Sequence, residues 1–285
     1  MIAENRREVK HFQMGTMKVE VHPSRELMGA AAARAAAEAL KELGQSHETI
    51  AAIFATGASQ LDTLDALTKI ENLPWAQVRG FHMDEYIGLP IDHAASFRGY
   101  LREKLTQKVH MKEFFEVDGT APDPEQVCRI YAEKLRSFDP QLCLLGIGEN
   151  GHLAFNDPAT ANFNDPLDVK VVHLDSMCRQ QQAAEGWFNT SQDVPESAIT
   201  LTIPTLLRVP KLIVSVPGSR KAKIIRRALE EAISTECPAT ILRTHPDVTV
   251  YLDKDSAAQL DGLIPPQLRT DAPPSEEYIS EPMQR

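Results

Sequence analysis

The chain has 285 residues, 42% hydrophobic and 25% charged, the balance of an ordinary globular protein long enough for one large α/β domain or two small ones. A formal net charge of −10 makes nucleic acid and anionic membrane surfaces poor partners, so an anionic ligand must be met by a local basic pocket. No apolar run approaches the ~18 residues of a membrane span, and the opening Met1-Ile2-Ala3-Glu4-Asn5-Arg6-Arg7 lacks the apolar core of a secretory signal. Cys128, Cys143, Cys178 and Cys237 are scattered without a CxxC pattern, which argues against a disulfide framework or structural zinc and fits a reducing cytoplasm.

Residues 17–22 alternate apolar and polar, as a half-buried strand does. Ser24 fits an N-cap, residues 25–43 are rich in strong helix formers, and Gly44 reads as the stop. A buried strand at 49–56, a helix at 61–69, a strand at 78–83 and helices at 97–105 and 125–138 follow. The apolar run 142–145 comes next and leads into the densest motif of the chain. Beyond it we expect a strand at 169–174, a helix at 180–188, a strand at 211–216, an amphipathic helix at 220–232, a strand at 248–252 and a short helix at 256–260. Strands alternating with helices imply parallel βαβ units: a doubly wound α/β fold, its mostly parallel sheet of about seven strands covered by helices on both faces. No Gly/Ser or Pro linker divides these elements, so residues 1–262 are expected to form one domain, with 263–285 a Pro-rich tail.

In such folds ligands collect in the loops after the strands. Four of these loops are rich in glycine, hydroxyl or ionisable groups: Thr56-Gly57-Ala58-Ser59, Met83-Asp84-Glu85-Tyr86, the stretch 146–158, and Pro217-Gly218-Ser219-Arg220-Lys221. Gly146-Ile147-Gly148-Glu149-Asn150-Gly151 satisfies G-x-G-x-x-G, and Asp175 ends the next expected strand, where a ribose-binding carboxylate would stand. A dinucleotide cradle needs a helix whose N-terminus receives the pyrophosphate. Residues 152–166 instead contain three Asn, two Asp and two Pro, which exclude a regular helix.

The same loops supply the parts of a phosphosugar site. Gly57, Ala58 and Ser59 offer backbone N–H groups and a hydroxyl to a phosphate, and Lys221 adds a positive charge. Asp84 and Glu85 offer carboxylates for proton abstraction, and His152 with Asp157 a second acid/base pair. Taken singly, each has a plainer reading: an Asp-Glu pair is usually a solvated surface feature, and Lys221 fits a basic helix face with Lys223, Arg226 and Arg227. His82, His93, His173 and His245 read as structural or surface residues, and Cys143 as a small core residue.

Together these residues resemble the glucosamine-6-phosphate deaminase/isomerase family, within a superfold shared with 6-phosphogluconolactonases. The matching pieces are Phe81-His82-Met83-Asp84-Glu85-Tyr86-Ile87-Gly88-Leu89, the stretch 146–158, Val194-Pro195 with Ala198-Ile199-Thr200, Gly218-Ser219-Arg220-Lys221-Ala222, and Cys237-Pro238-Ala239-Thr240 with Leu242 and His245. The resemblance implies conversion of glucosamine 6-phosphate to fructose 6-phosphate with release of ammonia, without a metal or organic cofactor. It implies Asp84 as the base that moves a proton between C2 and C1 of the open-chain sugar, with Glu85 among the substrate-binding residues. His152, assisted by Asn150 and Asp157, would promote opening of the pyranose ring. Phosphate would be held by Gly57, Ala58, Ser59, Lys221 and Arg179.

The chain departs from the family pattern in several places. Asn150 stands where an acidic residue is usual two positions before the histidine, and Asp157 replaces a glutamate. An asparagine can only hydrogen-bond, where a carboxylate would also stabilise the imidazolium. The neighbouring Glu149 is expected to point elsewhere. Gly57-Ala58-Ser59-Gln60 replaces Gly-Gly-Thr-Pro, adding a methyl where the backbone would approach phosphate. The surroundings of Arg179 (Cys178-Arg179-Gln180-Gln181-Gln182) include an insertion. Asp168 stands where activation by N-acetylglucosamine 6-phosphate would call for an arginine, although Lys170 remains, so no such activation is expected.

Two other functions stay open: a 6-phosphogluconolactonase-like hydrolase, which needs the histidine but no C2 base, and a non-catalytic sugar-phosphate sensor. The expected partner is a small amino-sugar phosphate. A homo-oligomer and the C4 epimer preference are both left open.

Overall fold

The computed structural model describes residues 9–264 apart from 175, 185 and 261. Asp175 and the segment 265–285 thus lie outside the described residues. Strand β1 (Lys10–Met14) pairs antiparallel with β2 (Met17–His22) at one edge of the main sheet. From β2 onwards the neighbours run parallel: β3 (Ile50–Phe54), β4 (Val78–His82), β6 (Glu113–Phe115), β7 (Leu142–Leu145), β10 (Lys211–Val216) and β11 (Val248–Asp253), in the order β1-β2-β11-β10-β7-β3-β4-β6. Seven parallel strands and one antiparallel edge strand make the mixed eight-stranded sheet, close to the expected number but with different members.

The expected strand at 169–174 forms as β8 (Val169–His173) but belongs to a second, antiparallel sheet. There β5 (Asp84–Tyr86) and β8 flank β9 (Ser197–Leu201). Residues 83–86, expected as a loop, therefore contain a strand: the backbone of Asp84 pairs with Thr200, and three residues are too few for alternation to reveal it.

Side-chain alternation in the central strands divides the core. Ala51, Ile53, Cys143, Leu145, Val214 and Val216 face one layer, made by α4 (Pro124–Phe138), α6 (Ile203–Leu207) and α7 (Ala222–Glu230). Ile50, Ala52, Phe54, Leu142, Leu144 and Ile213 face the other, made by α1 (Arg25–Ser46), α2 (Leu61–Leu67) and α3 (Phe97–Leu101). Both faces are covered, so the strands are near-continuously apolar. Each fully buried leucine or isoleucine here contributes about 1.5–3 kcal/mol relative to exposure.

Several boundaries differ from expectation. Ser24 caps α1, its Oγ accepting from the Leu27 N–H at 3.3 Å, but the helix continues through Gly44 to Ser46. Gly44 serves helix packing there, since Pro74 and Gln77 lie against it. The expected helix at 97–105 is α3 followed by a π-turn over Arg102–Thr106. The one at 180–188 is α5 (Ser176–Ala184), and α7 is preceded by a 3-10 turn over Ser219–Lys221. Residues 256–260 form turns, because the Asp253 carboxylate accepts from the Ser256 N–H at 2.7 Å and competes with helical bonding. Among the described residues no helix is long and apolar enough to cross a membrane.

Candidate active site

A cavity of about 290 Å³ opens at the carboxyl ends of β3, β4, β7 and β10. It is lined by Gly57, Ala58, Ser59, Asp84, His152 and Lys221, which are six of the ten residues picked out by the sequence. Asn150 and Asp157 stand directly behind His152. Glu85 and Arg179 do not line it.

The loop after β3 turns on Gly57, whose φ of +85° is unfavourable for any residue with a Cβ. Its carbonyl accepts from the Tyr100 hydroxyl at 3.0 Å, and the Ala58 carbonyl accepts from the Arg25 guanidinium, which also pairs with Asp62. Gln60, fully buried, donates to the Leu145 carbonyl at 2.9 Å and so ties this loop to the end of β7. On the opposite wall, the backbone N–H of Gly218 donates to both carboxylate oxygens of Asp253, at 3.1 and 3.0 Å, which fixes the turn carrying Lys221.

Asp84 is 6% exposed, and its Oδ1 is buried without a hydrogen-bond partner. Burial first, and then the neighbouring Glu85 charge, push its carboxyl well above the usual carboxylate range. Its backbone position is rigid, since β5 pairs with β9 and the Leu201 N–H donates to the Met83 carbonyl at 2.8 Å. A buried carboxyl held at a cavity wall with raised proton affinity is suited to accept a proton from carbon.

Glu85, on the other face of the same strand, is consumed by structure. Its carboxylate accepts from the N–H groups of Tyr86 (3.0 Å), Phe97 (3.1 Å) and Arg98 (2.9 Å) and from the Ser96 hydroxyl (3.0 Å), and lies 3.3 Å from the Arg98 guanidinium. These donors include the open first turn of α3, so Glu85 anchors that helix rather than facing a substrate. Successive residues of a strand point to opposite faces, which is why only one of the Asp-Glu pair reaches the cavity.

The loop after β7 seats His152. A Cβ built on Gly148 would fall 2.1 Å from the imidazole Cε1, so the ring rests on a position that only glycine leaves open. Asn150 Nδ2 donates to Asp157 Oδ1 at 2.7 Å, and Asn150 Oδ1 lies 2.8 Å from His152 Nδ1. An ionised carboxylate only accepts, so the amide nitrogen must face Asp157 and the amide oxygen is left for the imidazole. His152 Nδ1 therefore carries its proton, and Nε2 is the nitrogen left for chemistry. Asp157 Oδ1 also lies 3.2 Å from Nδ1, so a carboxylate reaches the imidazole despite Asn150. Burial alone would raise Asp157, but the His152 imidazole and the hydrogen bonds from His152, Asn150 and the Cys178 thiol outweigh it and bring its carboxyl down to about 2. Glu149 turns away, its carboxylate 3.3 Å from Arg220, as expected.

Strand β9 links the two halves of the site. Thr200 pairs with Asp84 through the backbone, while its Oγ1 accepts from the Phe155 N–H at 3.1 Å. Asn156 Nδ2 donates to the Leu201 carbonyl at 2.8 Å.

Arg179, expected at the phosphate, does not line the cavity. It lies on α5, off the cavity wall, its guanidinium 3.9 Å from Glu196, although Gln182 of the same helix does line the cavity. The cavity residues that sequence reasoning missed include Arg25, Tyr100 and Trp187. For Arg25 one signal was present, a basic residue at the first helical position, where acidic residues are favoured. Away from the cavity, the buried Asp168 carboxylate is held by Arg136 and Arg208, and Lys170 bonds to Asp165 at 2.9 Å. Among the described residues no three His, Cys, Asp or Glu side chains converge as a metal site would need.

A doubly wound α/β scaffold with acid/base groups and a glycine-hydroxyl loop around one cavity fits a sugar-phosphate-processing class. The sequence model described as glucosamine-6-phosphate isomerases/6-phosphogluconolactonase matches residues 23–251, and the chain belongs to that family. It is 35% identical over 221 residues to a glucosamine-6-phosphate deaminase of Exiguobacterium sibiricum, covering 77% of this chain and 85% of the relative. It is 34% identical over 224 residues to one of Bacillus cereus, covering 79% and 83%. Among solved structures, a monomeric glucosamine-6-phosphate deaminase superposes with a TM-score of 0.76 at 32% identity, over 85% of this chain and 99% of that one. A 6-phosphogluconolactonase of Thermotoga maritima shares the fold, with a TM-score of 0.67 at 19% identity, over 84% and 99%.

Proposed function

We propose that the chain is a glucosamine-6-phosphate deaminase. The observation that carries this reading is a buried Asp84 carboxyl, its Oδ1 unpartnered, lining the same cavity as an imidazole whose tautomer is fixed by Asn150. The phosphate sits on the Gly57-Ala58-Ser59 backbone and the Ser59 hydroxyl, with Lys221 opposite. His152 Nε2 exchanges the proton needed at the ring oxygen when the pyranose opens to the aldehyde form. Asp84 takes the proton from C2 and returns it to C1, while the amino nitrogen gives up a proton and O1 gains one, so that the 2-amino aldehyde becomes the 2-imino sugar with a C1 hydroxyl. Water adds at C2, and ammonia leaves with formation of the ketose 6-phosphate. Asp157 holds the imidazole from behind and stabilises it when protonated.

A lactonase requires no base at C2, and the buried Asp84 has no role in it. A non-catalytic sensor has no need of the ordered support that Asn150 and Asp157 give His152. One domain over residues 1–262 carries the activity, and four buried cysteines without a disulfide pattern fit a cytoplasmic enzyme. The test measures ammonia release from glucosamine 6-phosphate and galactosamine 6-phosphate, alongside hydrolysis of 6-phosphogluconolactone. Turnover of an amino sugar that Asp84→Asn abolishes supports the proposal. Lactone hydrolysis unaffected by that variant, with no ammonia from either amino sugar, overturns it.

A further inference from the structure

We propose that Arg25, at the start of α1, is an anion-binding residue of this cavity and sets the geometry of the loop that cradles the phosphate. The inference rests on the placement of phosphate at Gly57-Ala58-Ser59 and adds a residue that no sequence motif marks. With a net charge of −10 the chain attracts no anion from a distance, so nearby positive groups must do so. Arg179 lies off the cavity beside Glu196, and Arg220 is occupied by Glu149 and by the Ala184 carbonyl at 3.2 Å. Arg25 lines the cavity and, through its bond to the Ala58 carbonyl, stands beside the loop of Ser59.

Its bonding fixes the plane of the guanidinium. Nε pairs with the Asp62 carboxylate and Nη2 donates to the Ala58 carbonyl, while Nη1 has no partner among the described residues. A planar fork held at two atoms presents the third without further loss of freedom.

The second effect runs through the loop backbone. In a planar trans peptide the carbonyl and the following N–H point in opposite directions. The Gly57 carbonyl is held by the Tyr100 hydroxyl at 3.0 Å and the Gln60 N–H at 3.1 Å, and the Ala58 carbonyl by Arg25. The N–H groups of Ala58 and Ser59 are thereby turned the other way, and neither has a partner among the described residues. Two adjacent free N–H groups so aligned form a concave anion cradle. Arg25 thus contributes once by its charge and once by aiming its neighbours.

The test uses the full chain and inorganic phosphate as probe, with binding followed by calorimetry. For Arg25→Met, phosphate affinity falls about 10- to 100-fold, the loss expected for a hydrogen bond to a charged group. Arg25→Lys keeps the charge without the fork and recovers only part of that loss. Tyr100→Phe removes one neutral hydrogen bond behind the cradle and costs about 3- to 10-fold. With glucosamine 6-phosphate, KM rises by a larger factor in Arg25→Met than kcat falls, a split that general loosening of the fold would not produce. Arg25→Met binding phosphate within twofold of the parent overturns the inference. If that variant does not fold, parent-like binding by both Arg25→Lys and Tyr100→Phe overturns it equally, as does a parent that binds no phosphate. If the variants lose phosphate as expected while no amino sugar yields ammonia, the anion role stands and the proposed reaction falls.

Discussion

Gly148→Ala tests the site at its tightest point. The added methyl would lie 2.1 Å from His152 Cε1 and 2.3 Å from each ring nitrogen. Ordinary contact begins at 3.4 Å, so the ring must retreat by about 1.3 Å, the difference between those distances. It cannot retreat freely, because Asn150 holds Nδ1 at 2.8 Å and Asp157 lies 3.2 Å from the same atom. Displacing a reacting group by ~1 Å costs on the order of 100-fold in rate. The assay is ammonia release from glucosamine 6-phosphate under saturating substrate, with calorimetric binding of inorganic phosphate as control. We expect kcat to fall about 100-fold while phosphate binding stays within about twofold, since the three atoms nearest the added methyl all belong to the His152 ring and none to the cradle. Retention of kcat within about threefold would refute the claim that this glycine seats the imidazole.

The two buried carboxyls on which the site depends should respond to pH in opposite senses. Asp84 is held above its unfolded value, so its contribution to stability is full below about pH 4 and is lost as pH rises through the folded value. Asp84→Asn should therefore melt near the parent at pH 4 and increasingly above it towards neutrality; a constant difference across that range would be inconsistent. Asp157, brought down to about 2, contributes roughly 2 kcal/mol that is present above about pH 4 and lost between there and about pH 2. Asp157→Asn should be destabilised at pH 7, with the gap closing on acidification in a denaturant titration. Glu85→Gln should cost about 1–3 kcal/mol by leaving donors of α3 poorly matched, with little change in KM; a large KM effect with unchanged stability would contradict its anchoring role. Because Asp168 already holds Arg136 and Arg208, adding N-acetylglucosamine 6-phosphate should leave substrate affinity unchanged, as initial-rate measurements would show.

What could be read without coordinates followed the strength of the local signal. The central strands are apolar runs with breakers on both sides, and β2, β3, β4, β7, β10 and β11 all lie where the pattern put them. Strands β5 and β6 span three residues each, less than two periods of alternation, and exist only through their partners. The same limit hid the division of labour in the Asp84-Glu85 pair, because facing is set by the strand and the strand by distant Thr200. His152 and its glycines were legible as a loop, but the path by which Asp157 regains contact with the imidazole depends on side-chain reach. Whether Arg179 reaches the cavity is set by how α5 packs, and the one signal at Arg25, a basic residue at a helix start, says nothing of the Ala58 carbonyl that holds it.

The crossing role of β9 has a practical consequence. Residues 84 and 152, far apart along the chain, are surveyed from one datum, a threonine whose backbone sets the acid and whose hydroxyl sets the loop of the imidazole. Thr200 is fully buried and lies on neither cavity wall, so ligand chemistry places no direct demand on it. Anyone transplanting this pair of groups to another scaffold would have to carry the strand as well, since the two loops grafted alone would lose their common ruler.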